Sequence, residues 1–172
     1  KASLPAIQLT SGNGAYVYMV TIDAPQTELY GNLRIFGSNS VFKTNIINSG
    51  ILQNRENTNY TLTVNGSFTN NGTVKNNVTN FYLNVSGNLT NNGTWTNYST
   101  TLNGSGNKEL ALSQPFGGLY FSKTASAGRA IATAGLSFVG TNIDFNADTL
   151  EFTTGNSISF VGGSLNNSVL FK

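Results

Sequence analysis

Apolar and polar residues alternate along most of this chain, and the alternation itself recurs. Tyr60-Thr61-Leu62-Thr63-Val64 and Phe81-Tyr82-Leu83-Asn84-Val85 each set every second residue on one apolar face, and they match at an offset of 21. Period-two alternation predicts strands with one buried face. Leu62, Val64, Phe68 and Val74 are expected inward, and Thr61, Thr63, Thr69 and Lys75 outward. Around these strands one nine-residue pattern occurs three times, at 46–54, 68–76 and 89–97. A fixed period of about 20 residues marks a solenoid in which each repeat is one coil.

Parallel coils about 4.8 Å apart bring equivalent residues into contact. That predicts interior columns Ile46/Phe68/Leu89 and Leu52/Val74/Trp95. It also predicts a corner column Asn54/Asn76/Asn97, whose amides bond their own turn and the Asn above. Gly50, Gly72 and Gly93 are expected to supply a positive φ at each corner. A second run follows, with Phe116/Phe138/Phe160, Gly118/Gly140/Gly162 and Phe121/Ile143/Leu165 all 22 apart. It is richer in Phe and poorer in Asn, which predicts a wider, drier interior. The register breaks near 98–113. The expected fold is all-β, a single-stranded parallel β-helix of ~21–22-residue coils, seven or eight in number. A β-sandwich or jelly roll is the alternative, but antiparallel hairpins do not require residues 22 apart to match.

Residues 1–30 stand outside the repeat, and 31–172 form the expected β-helix. Ala15-Tyr16-Val17-Tyr18-Met19-Val20-Thr21-Ile22 reads as a strand covered on both faces, and Asp23-Ala24-Pro25-Gln26 as a turn. The segment is either an end cap or a strand that pairs with a neighbouring subunit. At the other end Val169-Leu170-Phe171-Lys172 is a strand with nothing after it. Either the natural chain continues or this edge docks on another subunit. Tyr16, Val17, Tyr18, Val20, Ile22, Leu170 and Phe171 are thus the candidate subunit contacts. They imply a homo-oligomer or polymer.

Composition narrows the function. Only 9% of residues are charged, the net charge is +2, and there is no Cys or His. Disulfides, thiol nucleophiles and histidine acid–base chemistry are excluded. The nine Lys and Arg are scattered, which argues against nucleic acid. No apolar run approaches the ~20 residues of a membrane span. The start at Lys1 and the Asn/Thr-rich surface fit a processed, secreted protein at the cell surface.

Gly66-Ser-Phe-Thr-Asn-Asn-Gly-Thr-Val74 and Gly87-Asn-Leu-Thr-Asn-Asn-Gly-Thr-Trp95 resemble the right-handed parallel β-helices of microbial surface adhesins, the filamentous-haemagglutinin-like proteins. The likeness spans roughly 40–170. It implies export, a rod-shaped body and an adhesive or scaffolding role, and it transfers no functional residue. A weaker likeness, resting on 15–22 and the open end, is to strand-exchanging subunits of extracellular filaments.

Ten Asn-x-Ser/Thr sequons occur, at Asn59, Asn65, Asn71, Asn77, Asn84, Asn88, Asn92, Asn97, Asn103 and Asn166. Asn71, Asn92, Asn65 and Asn103 are the candidate glycosylation sites. An Asn-Gly-Thr repeat also makes sequons by accident. Asp144, Asn146 and Asp148 resemble the opening of a calcium loop, but Thr149 stands where the turn glycine belongs and Gly155 where a bidentate Glu is needed. No other cofactor is expected. The seven acids show no paired catalytic geometry, and no Lys or Arg is expected beside the 144–151 group, so an enzyme is not expected. The Thr69/Thr90 and Thr73/Thr94 columns are too short for ice binding. Tyr60, Phe81, Tyr82 and Tyr98 either form a platform for a surface glycan or pack at strand ends. The expected function is a non-catalytic subunit of a surface fibre or adhesin stalk; the alternative is a carbohydrate-binding module.

Overall fold

The computed structural model describes residues 7–9, 15–18, 21–36, 40–55, 58–124, 128–146, 149–166 and 170–172. The chain is an all-β solenoid of parallel strands, wound over three walls. The first wall stacks β2 (Ala15–Tyr18), β4 (Asn32–Phe36), β6 (Ile51–Asn54), β9 (Thr73–Lys75) and β12 (Thr94–Thr96). Single bridges through Phe116 then carry it to β17 (Leu136–Asp144) and β19 (Ile158–Asn166). The second wall runs β3 (Thr21–Leu29), β5 (Ser40–Asn48), β7 (Tyr60–Val64), β10 (Phe81–Val85), β13 (Ser99–Leu102) and β15 (Tyr120–Lys123), and ends on the later halves of β17 and β19. The third wall starts with β1 (Ile7–Leu9) and the later halves of β3 and β5. It continues through β8 (Phe68–Asn70), β11 (Leu89–Asn91), β14 (Lys108–Leu112), β16 (Ala130–Ala132), β18 (Thr149–Phe152) and β20 (Leu170–Phe171).

Each coil takes the walls in that order, with short polar corners in the middle coils and single strands that pass from one wall to the next in β3, β5, β17 and β19. The period-two pattern sets the core: Leu62, Val64, Phe68, Val74, Leu83 and Val85 are fully buried while their neighbours face out. The expected columns form. Ile46 pairs with Phe68 and Phe68 with Leu89; Leu52 pairs with Val74 and Val74 with Trp95. In the later run Phe138 pairs with Phe160, and Ile143 joins Phe121 to Leu165.

Strands β2 and β3 lie in parallel register on the strands of the next coil. Tyr16 pairs in parallel with Arg34 and Val17 with Ile35, while Thr27 pairs with Ile46. The expected turn at Asp23–Gln26 is a register shift within the continuous strand β3. The break near 98 is an exchange of corner lengths. Only two residues, 97 and 98, separate β12 from β13, whereas 76–80 separate β9 from β10. Tyr82 therefore pairs with Ser99, well short of a full period along the chain. The next corner, 103–107, is longer than 86–88, and the full period is restored where Leu89 pairs with Leu110. Trp95 fills the shortened corner. Its Nε1 donates to Asn97 Oδ1 at 2.9 Å and to Thr100 Oγ1 at 3.1 Å.

Two corner assignments change. The amide ladder lies at Asn48/Asn70/Asn91, not at Asn54/Asn76/Asn97. Asn48 Nδ2 donates to Asn70 Oδ1 and Asn70 Nδ2 to Asn91 Oδ1, both at 2.8 Å, inside the third wall. The same nitrogens reach the Thr73 and Thr94 carbonyls. Asn54, Asn76 and Asn97 instead bond the backbone around the first-to-second corner: Asn54 Oδ1 accepts from Asn77 N, Asn76 Oδ1 from Phe81 N, and Asn97 Nδ2 donates to the Ser99 carbonyl. Gly50, Gly72 and Gly93 lie outside the positive-φ region. They are required by closeness. A Cβ on Gly72 would sit 2.2 Å from the Gly50 carbonyl oxygen, and one on Gly93 2.1 Å from that of Gly72.

Candidate functional site

The end of the stack is the most exposed apolar region. Among the described residues β19 is the outermost strand of its sheet and pairs with β17 alone, and β20 is outermost on the third wall. Their inward side chains therefore have a coil on one side only. Phe160 stacks on Phe138 (6.0 Å, 14°) and Phe171 on Phe152 (6.2 Å, 25°). Phe160, Leu165 and Phe171 nonetheless remain 41, 39 and 47% exposed, and Leu170, which faces outward, 54%.

At the opposite end β2 and β1 are the outermost strands. Tyr16, Val17 and Tyr18 hold parallel register with Arg34, Ile35 and Phe36 of the same chain. Ile22 pairs with Phe42 and packs partly buried against the core. Val20 lies outside the described residues.

On the outer face of the second wall Tyr82, Tyr98 and Tyr120 form a column, with ring centroids 5.2 Å apart at both steps and edge-to-face angles of 63° and 61°. Ser99, the register partner of both Tyr82 and Tyr120, is small, and the Tyr98 ring occupies the space that leaves. Tyr60 and Phe81 are buried and belong to the core, so of the two expected readings these two residues follow packing, and a four-residue platform does not form. Partial burial first, then the charges of Tyr120 and Tyr82 and a hydrogen bond with Tyr120, hold the Tyr98 phenol above its ordinary value. Tyr30, at the N-terminal end, donates to Glu28 Oε2 at 3.0 Å, and that bond and charge raise its phenol as well.

The Asp144 corner uses its oxygen atoms locally. Asp144 Oδ1 accepts from the Asn146 backbone N–H at 2.6 Å, which helps hold Asn146 at φ 52°. Asn146 Nδ2 donates to the Lys123 carbonyl. Asp148 lies outside the described residues. Among the described residues no three His, Cys, Asp or Glu side chains come together. Contrary to expectation a cation does stand beside this region: Arg129 pairs with Glu151 across one coil.

The candidate sugar sites differ in access. Asn65, Asn71 and Asn92 are exposed, and Asn92 Nδ2 donates to Asn71 Oδ1 at 3.0 Å. Asn103 is half-buried and accepts from Ser86 Oγ at 2.8 Å. Two buried lysines were missed. Lys108 and Lys123 are 5 and 1% exposed, on either side of one corner. Lys108 Nζ donates to the Ser105 carbonyl at 2.7 Å. Burial first, then the Lys123 charge, pushes Lys108 below the ordinary lysine value. Among the described residues the later interior buries fewer polar side chains than the earlier one, and these two ammonium groups are the charged exceptions in it. Alternation carried the signal: Lys108 shares parity with Leu110 and Leu112, and Lys123 with Phe121.

Fold and surface together define a parallel β-solenoid whose polar interior groups serve its own corners. No protein-family profile matches the chain. No curated protein and no solved structure matches it either. No helix among the described residues is long and apolar enough to cross a membrane.

Proposed function

We propose that this chain is a non-catalytic structural piece of a secreted microbial cell-surface fibre or adhesin stalk, self-associating through its strand edges or ends. The observation that supports the reading is β19, nine residues of strand paired on one side among the described residues, with Phe160 and Leu165 41 and 39% exposed. Parallel strands continue such a stack by adding backbone hydrogen bonds and covering apolar side chains, and single-sided edges favour that addition. Sedimentation of the chain over a wide concentration range tests it. Growth of elongated particles is the expected result, and Phe160→Asp with Leu165→Asp is expected to abolish it. A wild-type chain that stays monomeric at every concentration defeats the reading.

The Tyr82/Tyr98/Tyr120 column favours a second reading, a carbohydrate-binding module that stacks sugar rings on tyrosine. Retention of a monomeric chain on a polysaccharide column, lost in Tyr120→Ala, supports it over the first. Glycans on Asn65, Asn71, Asn92 and Asn103 belong to either reading, and an intact mass equal to the sequence mass removes them. A calcium ion at Asp144, Asn146 and Asp148 is removed by a melting temperature that excess chelator leaves unchanged.

A further inference from the structure

The tyrosine column has a reactivity that neither reading uses. Tyr98 and Tyr120 lie on adjacent coils, joined by a Tyr120 N–H to Tyr98 carbonyl hydrogen bond of 2.9 Å. Their ring centroids are 5.2 Å apart at an interplanar angle of 61°. The Tyr120 side chain is open to solvent, 41% exposed, and that of Tyr98 is partly so. Tyr82 contacts Tyr98 at the same centroid distance, but it is less exposed than Tyr120, which is the ring of the pair open to an oxidant.

We propose that Tyr98 and Tyr120 form an oxidative coupling site, at which a one-electron oxidant of the haem-peroxidase class, acting with hydrogen peroxide, joins the two rings as an intrachain dityrosine. Each phenol loses one electron and one proton to give a phenoxyl radical. The radicals pair to form one bond between ring carbons ortho to the hydroxyls, and the two displaced ring hydrogens return to the oxygens by tautomerisation. The protein loses two hydrogen atoms in all, and one hydrogen peroxide is reduced to two waters. An aryl–aryl bond accommodates a large angle between its rings, so the 61° arrangement is a suitable start. Held neighbours react as an effectively unimolecular pair, with effective molarities that reach about 10⁵ M and above in well-oriented cases. Coupling within a chain therefore outruns coupling between chains in dilute solution. The new bond would staple adjacent coils at the shortened corner, where only residues 97 and 98 link two walls.

The test treats the dilute 172-residue chain with a haem peroxidase and hydrogen peroxide, and reads the monomer fraction by intact mass, dityrosine fluorescence and peptide mapping. The expected product is a monomer lighter by two hydrogens, with one cross-linked peptide pair holding Tyr98 and Tyr120 and a melting temperature above that of untreated protein. Tyr82→Phe is expected to keep the product. Tyr98→Phe and Tyr120→Phe, which preserve the rings and their packing, are expected to lose the fluorescence gain several-fold or entirely. Wild-type monomer without the mass change, a cross-link mapped to another tyrosine pair, or dityrosine confined to dimers overturns the proposal. Reading only monomer keeps this outcome separate from whether chains assemble.

Discussion

The early and late coils solve one packing problem with opposite chemistry. Between β5 and β12 the third wall holds Asn48, Asn70 and Asn91, each fully buried and bonded to the next. From Trp95 onward the interior is held by rings. Trp95, Phe116 and Phe138 follow one another at 5.4 and 5.8 Å, and Phe121 meets both Phe138 and Phe145. Ala130 and Ala132, fully buried on the third wall, stand opposite that aromatic mass, so small residues on one wall admit large ones on the others. Amide ladders are directional and tolerate little. Rings gain mainly by area and edge-to-face contact. One backbone geometry thus admits two interiors, provided each is consistent along its own columns.

The contrast can be broken at four points. Phe138→Ala removes a ring that touches three others and is expected to cost about 3–5 kcal/mol in denaturant unfolding. Gly72→Ala, whose Cβ meets the Gly50 carbonyl, must pry two coils apart and is expected to cost about 3 kcal/mol. Gly106→Ala, with open space around it, is the matched control, expected near 1 kcal/mol from its positive φ. Asn70→Ala leaves Asn48 Nδ2 and Asn91 Oδ1 each short of a buried partner, for about 2 kcal/mol. The smallest effect is Lys108→Met, read as a difference from wild type against pH. The folded-state value of Lys108 lies below the unfolded one, so the charged lysine penalises folding at neutral pH. That penalty fades as pH rises from the lowered value through the ordinary one. The variant's relative advantage should shrink over that window. Tyr98 and Tyr30, whose raised phenols withdraw stability at high pH, cancel in the difference. A gap that stays constant with pH removes the electrostatic account of Lys108.

Most of the fold was legible because a solenoid writes its contacts into its sequence. A residue touches its equivalent one period away, so a match such as Leu62 to Leu83 is at once a repeat and a contact. Strand β2 does not follow the repeat spacing: Val17 pairs with Ile35, before a full period has passed. Polar positions were harder. Asn48 and Asn54 are both buried Asn near a corner in the same repeat, and sequence does not say which faces the next coil and which its own turn. Glycine was read as a torsional need when the constraint was the spacing between coils. Lys108 and Lys123 were hidden by the ordinary rule that charge seeks water, although alternation pointed inward. The tyrosine column was half visible, since Tyr98 enters it only through the shortened corner.

The asparagine ladder also has two unlike ends. Every amide nitrogen points toward the later coil, and every oxygen toward the earlier one. Leu29 lies below Asn48 and Leu112 above Asn91. The lower terminus therefore holds a buried Asn48 Oδ1 with no donor among the described residues, while Asn91 Nδ2 keeps the carbonyl bond of the other rungs, to Gln114, without a further amide oxygen above it. The mismatch belongs to the termini and not to the rungs. Inserting a further asparagine coil in the middle adds a bond without adding a terminus, so such a run grows more favourable per coil as it lengthens, and duplication inside it is the easy direction of change.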